Sequence, residues 1–306
     1  MEKDPESGVG GKRFDSVGEG DVVILPAFGA SLEEMQLLDS MGVTTVDTTC
    51  PWVSKVWTTV DKHQLSEMTS IIHGKYAHEE AIATASMCET YLIIKDLKQA
   101  TELASYILQE PGCLTAEELM DKYKLAMSPH FDPKKHLKKL GLANQTTMYK
   151  KETQAIGKLL EKTMMQAHGP ENVKEHFAAF DTICDATQVR QDAVLEMSEQ
   201  SLRGDGSPAL DFILVVGGWD SSNTAHLLEI PHEKGVPGYH VNEAKCIRPD
   251  NSVEHRDVDG HVFVTENFLP LDRPVRIGVT SGASTPDSVV QECLEAILLI
   301  KKVQSA

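Results

Sequence analysis

The chain has 306 residues, of which 41% are hydrophobic and 25% are charged, and its formal net charge is −17. This composition is ordinary for a globular protein with a sizeable core, and the negative charge argues against bulk nucleic-acid binding, which needs a positive surface. No apolar run approaches the ~18 residues of a membrane helix. The first five residues resemble neither a secretory signal nor a transit peptide. The chain is therefore expected to be cytosolic or to lack its targeting segment.

Short apolar runs alternate with helical patterns along the chain. Strands are predicted at residues 21–26, 43–46, 69–72, 91–95, 210–216 and 275–280, and helices at 32–41, from Pro51 and from the 78–80 segment. This alternation predicts an α/β fold with parallel sheets that are covered on both faces. The charged helical stretch at residues 105–140 is interrupted by proline and glycine, and we interpret it as a surface insertion.

Six cysteines are scattered through the chain without a C-x-x-C pair, which favours reduced thiols over disulfides or a zinc ribbon. Cys50 and Cys184 each lie in a polar loop before a helix, a position that favours the thiolate. Cys88 and Cys293 are predicted to be core residues. An iron–sulfur cluster normally needs three or four cysteine ligands, so the two loops predict an incomplete set.

Three loops rich in hydroxyl groups are candidates for an anion site. Residues 217–224 and 282–287 each follow a strand and precede a helix, and residues 144–147 form the third. Helix N-termini present free N–H donors, and ligands usually lie at the carboxyl ends of parallel strands. One such loop alone is ordinary helix capping, whereas three together favour a phosphate or diphosphate site.

His78 and Glu80 lie at a predicted helix start after the strand at 69–72. Such a pair can supply a hydrogen-bond donor and a proton source, and solvated or capping side chains are the alternative. The pattern is not H-E-x-x-H, and G-x-S-x-G, Walker A and G-x-G-x-x-G motifs are absent from the sequence. Zincin, esterase, P-loop and dinucleotide-binding interpretations are therefore excluded.

Taken together, these motifs resemble the 4-hydroxy-3-methylbut-2-enyl diphosphate reductases, most closely their plant and cyanobacterial branch. The similarity begins near Asp21 and rests on the segments D-T-T-C-P-W, H-G-K-Y-x-H-E-E, N-Q-T-T-M, I-C-D-A-T-Q, G-G-W-x-S-S-N-T and S-G-A-S-T-P-D. It implies three αβα subdomains with small parallel sheets around a central cavity for the cluster. The corresponding predicted domains are residues 1–50, an incomplete first subdomain; 51–183, with the helical insertion at about 105–140; and 184–306, with the C-terminal helix.

The resemblance also implies roles for individual residues. Cys50 and Cys184 would be two of the three cysteines that hold a 4Fe-4S cluster, and Glu80 would donate protons with His78 and Thr146 beside it. Substrate contacts are implied for His78, Thr146, Thr147, Thr187, Ser221, Ser222, Asn223 and Ser284. The family reaction removes the allylic hydroxyl as water and gives isopentenyl and dimethylallyl diphosphates, the final step of the methylerythritol phosphate pathway. Ferredoxin or flavodoxin is the implied electron donor, and the plastid is the implied location.

Two departures from the family pattern affect the prediction. The third ligand cysteine and a diphosphate-contacting histidine of the family lie upstream of the matched region, where residues 1–20 contain neither residue type. We therefore expect a chain truncated at its N-terminus, and the alternative function is an inactive remnant that binds a diphosphate or a partner without a stable cluster. Phe28 replaces a histidine of many bacterial members, as is usual in the plant-type branch. A zinc phosphohydrolase has little support, because its carboxylate and histidine clusters are missing.

The basic run at residues 134–139 is most simply a solvated helix face. The alternative interpretation is a docking patch for an acidic electron donor, which a chain of net charge −17 would otherwise repel. The oligomeric state is left open by the sequence.

Overall fold

The computed structural model of the chain describes Lys12 and residues 14–180, 182–200 and 209–304. It divides into two compact units, Met1–Ile183 and Cys184–Ala306. Within the described residues, eleven strands form three sheets.

The elements follow one another in the predicted alternating order. The strands are β1 (Val22–Leu25), β2 (Thr44–Asp47), β3 (Thr69–His73), β4 (Tyr91–Ile94), β5 (Leu140–Asn144), β6 (Phe177–Ala179), β7 (Phe212–Val216), β8 (Gly238–Val241), β9 (Ser252–Arg256), β10 (Val262–Glu266) and β11 (Ile277–Ser281). The helices are α1 (Leu32–Ser40), α2 (Pro51–Leu65), α3 (Glu79–Ser86), α4 (Leu97–Ile107), α5 (Ala116–Tyr123), α6 (Pro133–His136), α7 (Lys150–His168), α8 (Val173–His176), α9 (Asp185–Gln200), α10 (Ser222–Glu233) and α11 (Asp287–Gln304). The strands and helices predicted from the sequence are present, with ends that differ by a few residues.

The first unit contains two parallel sheets. β1 and β2 form a two-stranded sheet whose inner side chains, Leu25 among them, pack with Leu38 of α1. Its outer side chains Val22 and Ile24 are 63% and 67% exposed. The larger sheet has the order β4-β3-β5-β6, and its central strands β3 and β5 are buried along their whole length. Continuous burial is expected for parallel strands that are covered on both faces.

The surface position predicted for residues 105–140 is wrong, whereas the interpretation of the segment as an insertion stays a prediction. The segment contains the end of α4 together with α5 and α6, but Leu119, Tyr123, Phe131 and Leu137 are buried in the main hydrophobic core of the first unit. Leu119 and Tyr123 lie four residues apart on α5, so they share one face of that helix while its acidic residues face solvent. The charge density of the segment reflects only this outer face.

The second unit is built on a sheet with the order β10-β9-β8-β7-β11. β7 and β11 are parallel as predicted, and β8, which was not predicted, is parallel to β7, whereas β9 is antiparallel to both β8 and β10. The prediction missed β9 and β10, as it missed β5, β6 and β8. Asp259 and Gly260 lie in the turn between β9 and β10, with Gly260 at φ +92°. An Asp-Gly pair between two β-prone runs is the sequence signal that identifies such a hairpin.

The C-terminal helix α11 covers one part of this sheet. Cys293, Ile297 and Ile300 project from it into the core that Phe212 and Val253 share. In the part of the chain that the structure describes, none of the helices combines the length and the apolar character that a membrane span requires.

Candidate functional site

In the first unit, Glu80 lies against Thr146. β3 and β5 are adjacent and parallel, with His73 opposite Asn144, so the loops that follow them leave the same edge of the sheet. Glu80, in the first turn of α3, is only 2% exposed. Its Oε1 accepts a hydrogen bond from the backbone N of Thr146 at 2.5 Å, and its Oε2 accepts one from Thr146 Oγ1 at 2.9 Å.

The environment of Glu80 changes its acidity. Burial raises the pKa of Glu80 to about 7, although the two hydrogen bonds from Thr146 favour the carboxylate and lower it. A carboxyl group with a pKa near neutrality can both hold a proton and release it, which is the requirement for a general acid. The alternative that Glu80 is a solvated side chain at a helix start is therefore wrong.

His78 lies immediately before α3 and caps it. Its Nδ1 accepts a hydrogen bond from the backbone N of Glu80 at 3.1 Å. Burial, assisted by the charge of Lys75, lowers the pKa of His78, so the ring is mainly neutral at pH 7. In a neutral ring whose Nδ1 accepts, the proton is on Nε2. His78 therefore combines the capping role with an N–H donor that has no hydrogen-bond partner among the described residues and is half-buried next to Glu80.

Gln145 connects the two loops of this edge, and the sequence analysis did not single it out. The backbone N of Lys75 donates to Gln145 Oε1 at 3.1 Å, and Gln145 Nε2 donates to Thr147 Oγ1 at 2.8 Å. Thr147 is thereby fixed next to Thr146. A buried amide inside a run of hydroxyl residues is the signal by which Gln145 could have been found, because such an amide must be hydrogen-bonded.

Cys50 and Cys184 occupy equivalent local positions, one in each unit. Cys50 is the N-cap of α2, followed by Pro51 in the first turn, and its backbone N donates to Ala27 O at 2.9 Å. Cys184 directly precedes α9, and its carbonyl accepts from Gln188 N at 2.9 Å. Both cysteines are half-buried at the start of a helix. Thr187 is buried in the first turn of α9, which packs against α10.

Cysteine sulfur is the usual ligand of an iron–sulfur cluster, so these two residues fit such a cluster. They are one fewer than the three cysteines that a cluster normally needs. The other cysteines are poor candidates for the missing ligand. Burial raises the pKa of Cys88 to about 12 and that of Cys293 to about 11, which disfavours their thiolates. Cys246 is buried as well, and Cys113 lies in the loop between α4 and α5.

In the second unit, the loops that follow β7 and β11 lie side by side and are held together by hydrogen bonds. These strands are parallel neighbours, and Val216 O at the end of β7 accepts from Gly282 N at 2.9 Å and from Thr285 Oγ1 at 3.2 Å. A Cβ atom at Gly282 would lie 2.3 Å from Thr224 Oγ1, so this close approach requires glycine. Ser284 is exposed at the tip of the second loop.

The N-terminus of α10 carries polar groups that lack partners. Ser221 caps the helix by accepting from Thr224 N at 3.3 Å. Ser222 and Asn223 are each 3% exposed. Among the described residues, Ser222 Oγ, Thr224 Oγ1 and both polar side-chain atoms of Asn223 have no hydrogen-bond partner. Buried polar groups are nearly always paired, so unpaired groups at a helix N-terminus indicate a place for an anionic ligand.

Comparison with known proteins identifies the family. The model of the family described as "LytB protein" matches residues 6–298. The chain belongs to the LytB family. A chloroplastic LytB-family relative, the 4-hydroxy-3-methylbut-2-enyl diphosphate reductase of Botryococcus braunii, is 57% identical over 289 residues, which cover 94% of this chain and 56% of the relative. The reductase of Trichormus variabilis is 52% identical over 292 residues, which cover 95% of this chain and 70% of the relative.

These relatives confirm the predicted reductase family and its plant and cyanobacterial affinity. The chain spans between 56% and 70% of the length of these two relatives. A solved structure titled as the E-1-hydroxy-2-methyl-but-2-enyl-4-diphosphate reductase from Plasmodium falciparum has the same fold as this LytB chain, with a TM-score of 0.61 and 20% identity. That similarity covers 92% of this chain and 69% of the Plasmodium chain, and it bears out the predicted α/β fold class.

Proposed function

We propose that this chain carries the substrate-binding and proton-donating residues of a 4-hydroxy-3-methylbut-2-enyl diphosphate reductase. The observation that carries the proposal is the buried carboxyl of Glu80, with a pKa of about 7 and two hydrogen bonds to Thr146. The names of the relatives indicate the substrate, an allylic alcohol that bears a diphosphate. The reaction consumes two electrons and two protons, replaces the C–O bond by a C–H bond and releases water. Its products are isopentenyl and dimethylallyl diphosphates.

Glu80 donates the proton that converts the departing hydroxyl into water. Transfer leaves a carboxylate, and the N–H and O–H of Thr146 stabilise that anion where it forms. The Nε2–H of His78 donates a hydrogen bond to the substrate beside Glu80. A buried acid without the two Thr146 donors would have a still higher pKa and would release its proton less readily.

The diphosphate binds at the N-terminus of α10. The Ser222 hydroxyl, the Asn223 amide and the free N–H groups of the first turn are donors that this anion would satisfy. Ser221 and the exposed Ser284 are assigned to the same anion. Thr147 and Thr187 are assigned weaker contacts with the substrate.

Cys50 and Cys184 are assigned to a 4Fe-4S cluster, together with a further ligand outside this set. When bound, the cluster would supply single electrons and a Lewis-acidic iron for the substrate hydroxyl. We infer that ferredoxin or flavodoxin delivers the electrons, and that the protein acts in the plastid, as the name of the Botryococcus relative indicates for that protein.

An inactive protein that binds a diphosphate without a stable cluster is the second candidate, and the presence of only two suitable cysteines among the described residues favours it. Anaerobic reconstitution with iron and sulfide, followed by iron counting and EPR of the reduced protein, separates the two. A stoichiometric cluster that Cys50→Ser or Cys184→Ser abolishes, with product formation from the allylic diphosphate, supports the reductase. A folded protein that retains no iron and yet binds inorganic diphosphate supports the second candidate.

A further inference from the structure

The turn that leads into α10 is held from one side by two side chains of the neighbouring strands. His240 on β8 and Arg256 on β9 are paired in register, and both belong to the second unit. His240 Nε2 lies 2.9 Å from Gly217 O. Arg256 Nη1 donates to Trp219 O, and Arg256 Nε donates to Gly260 O at 2.9 Å. Two carbonyl groups of the turn at residues 217–219 are therefore fixed by side chains from outside the loop.

The state of His240 follows from its surroundings. The ring is 1% exposed, and among the described residues its Nδ1 has no hydrogen-bond partner. Burial, reinforced by the charge of Arg256, lowers the pKa of His240. The ring is consequently neutral, with its proton on Nε2, where it donates to Gly217 O. The same ring packs against Trp219, with 5.2 Å between ring centroids and 56° between planes.

This turn determines where the helix begins. The backbone N of Ser221 donates to Gly218 O at 3.1 Å, so the cap of α10 is bonded directly to the turn. A Cβ atom at Gly217 would lie 2.6 Å from Thr224 Oγ1, which makes glycine necessary there. Two consecutive glycines leave a backbone with many accessible conformations, and an unrestrained turn would have to be ordered when the ligand binds.

We propose that His240 and Arg256 are positioning residues for the diphosphate: they fix the turn at residues 217–219 so that Ser222 and Asn223 are already oriented for the anion. The inference rests on the proposed function of the α10 N-terminus. Neither side chain touches the ligand. Their contribution is to remove the cost of ordering the loop upon binding.

Calorimetric titration of the full chain with inorganic diphosphate tests the inference. We expect His240→Leu and Arg256→Gln each to weaken binding about tenfold, since each loses a hydrogen bond that holds the turn. His240→Gln retains an N–H donor near the Nε2 position and should restore most of the affinity. Equal affinity in the unchanged chain and His240→Leu would overturn the inference.

Two matched controls separate positioning from general destabilisation. His255→Leu removes another buried histidine, whose Nε2 lies 2.8 Å from Thr265 Oγ1 and which does not bond the turn. Arg248→Gln removes another arginine of the same sheet region, which pairs with Glu254. We expect both controls to bind diphosphate like the unchanged chain. A loss in the controls as large as in His240→Leu would assign the effect to stability and overturn the inference.

Fluorine NMR of 5-fluorotryptophan-labelled protein reports the turn itself. The chain has three tryptophans, and Trp219→Phe assigns the relevant signal. We expect His240→Leu to shift or broaden the Trp219 signal and to leave those of Trp52 and Trp57 unchanged. If the unchanged chain does not bind inorganic diphosphate at all, the proposed anion site fails and the inference fails with it. If the unchanged chain binds diphosphate and the His240 and Arg256 variants bind it as tightly as the controls do, the anion site stands and the inference alone fails.

Discussion

Two buried polar groups, one in each unit, differ in how they are paired. In the first unit, both carboxylate oxygens of Glu80 are hydrogen-bonded to Thr146 within the protein. In the second unit, the polar side-chain atoms of Ser222 and Asn223 are buried without a partner among the described residues. A proton donor needs an environment that is complete before the substrate arrives, because that environment sets its pKa. An anion site needs the reverse, since donors already paired within the protein have nothing to offer a ligand.

The largest expected effect is on turnover of the reconstituted protein with a chemical reductant. Glu80→Gln removes the general acid and should lower the rate by about 10²- to 10⁴-fold. Glu79→Gln is the matched control, because Glu79 is the neighbouring carboxylate, partly exposed and paired with Lys12. The rate of the unchanged protein should fall as pH rises through about 7, the pKa of Glu80. A Glu80→Gln variant that retains the rate would remove the proton donor from the proposal.

The same substitution should stabilise the fold at high pH. The pKa of Glu80 rises from an ordinary 4.5 to about 7, so the folded state holds its proton more tightly than the unfolded state does. The stability that the protonated Glu80 contributes is fully present below pH 4.5 and is lost as the pH rises to about 7. Above pH 7, the free energy of unfolding of Glu80→Gln should exceed that of the unchanged chain by up to about 3 kcal/mol. Near pH 4, the two free energies should agree. Denaturant unfolding at both pH values measures this, and a difference independent of pH would contradict it.

Removal of an unpaired group in the second unit should weaken binding without weakening the fold. Asn223→Ala should lower the affinity for inorganic diphosphate by roughly ten- to a hundredfold, the effect of a hydrogen bond to a charged group. The melting temperature should stay the same or rise, since the unpaired amide is costly in the absence of ligand. Gln291→Ala, which removes an exposed amide bonded to Glu295 on α11, is the control. A lower melting temperature with unchanged affinity would make Asn223 a structural residue.

The smallest effect is expected from the basic run at residues 134–139. Lys139 directly precedes β5 and Thr146 closely follows it, so the five-residue strand separates them by about 17 Å. Charge reversal at Lys134, Lys135 and Lys138 should therefore leave ferredoxin-driven turnover unchanged. Reversal at Lys55 and Lys62, on the helix that begins after Cys50, should reduce it while dithionite-driven turnover stays the same. A loss from the first set alone would place the donor at the basic run.

Much of the fold could be predicted because its signals are local. Apolar runs of strand length, proline after Cys50 and a cap residue before α3 and α10 act within a few neighbouring residues, and they set the order of elements and the loops that hold Cys50, Glu80 and Ser222. The hairpin of β9 and β10 was missed although Asp259 and Gly260 signal it. The boundaries of the three predicted subdomains and the roles of the site residues remain predictions.

Other properties depended on residues that are distant in sequence. Thr146 lies 66 positions from Glu80, and only the pairing of β3 with β5 brings the two together. Desolvation, which raises the pKa of Glu80, is the sum of all atoms that exclude water from its carboxyl, and no local pattern contains that sum. The burial of Leu119 and Phe131, and the contact of His240 with Gly217, were likewise decided by packing. Local chemistry thus placed the functional groups at the starts of helices, and tertiary packing determined their protonation and their partners.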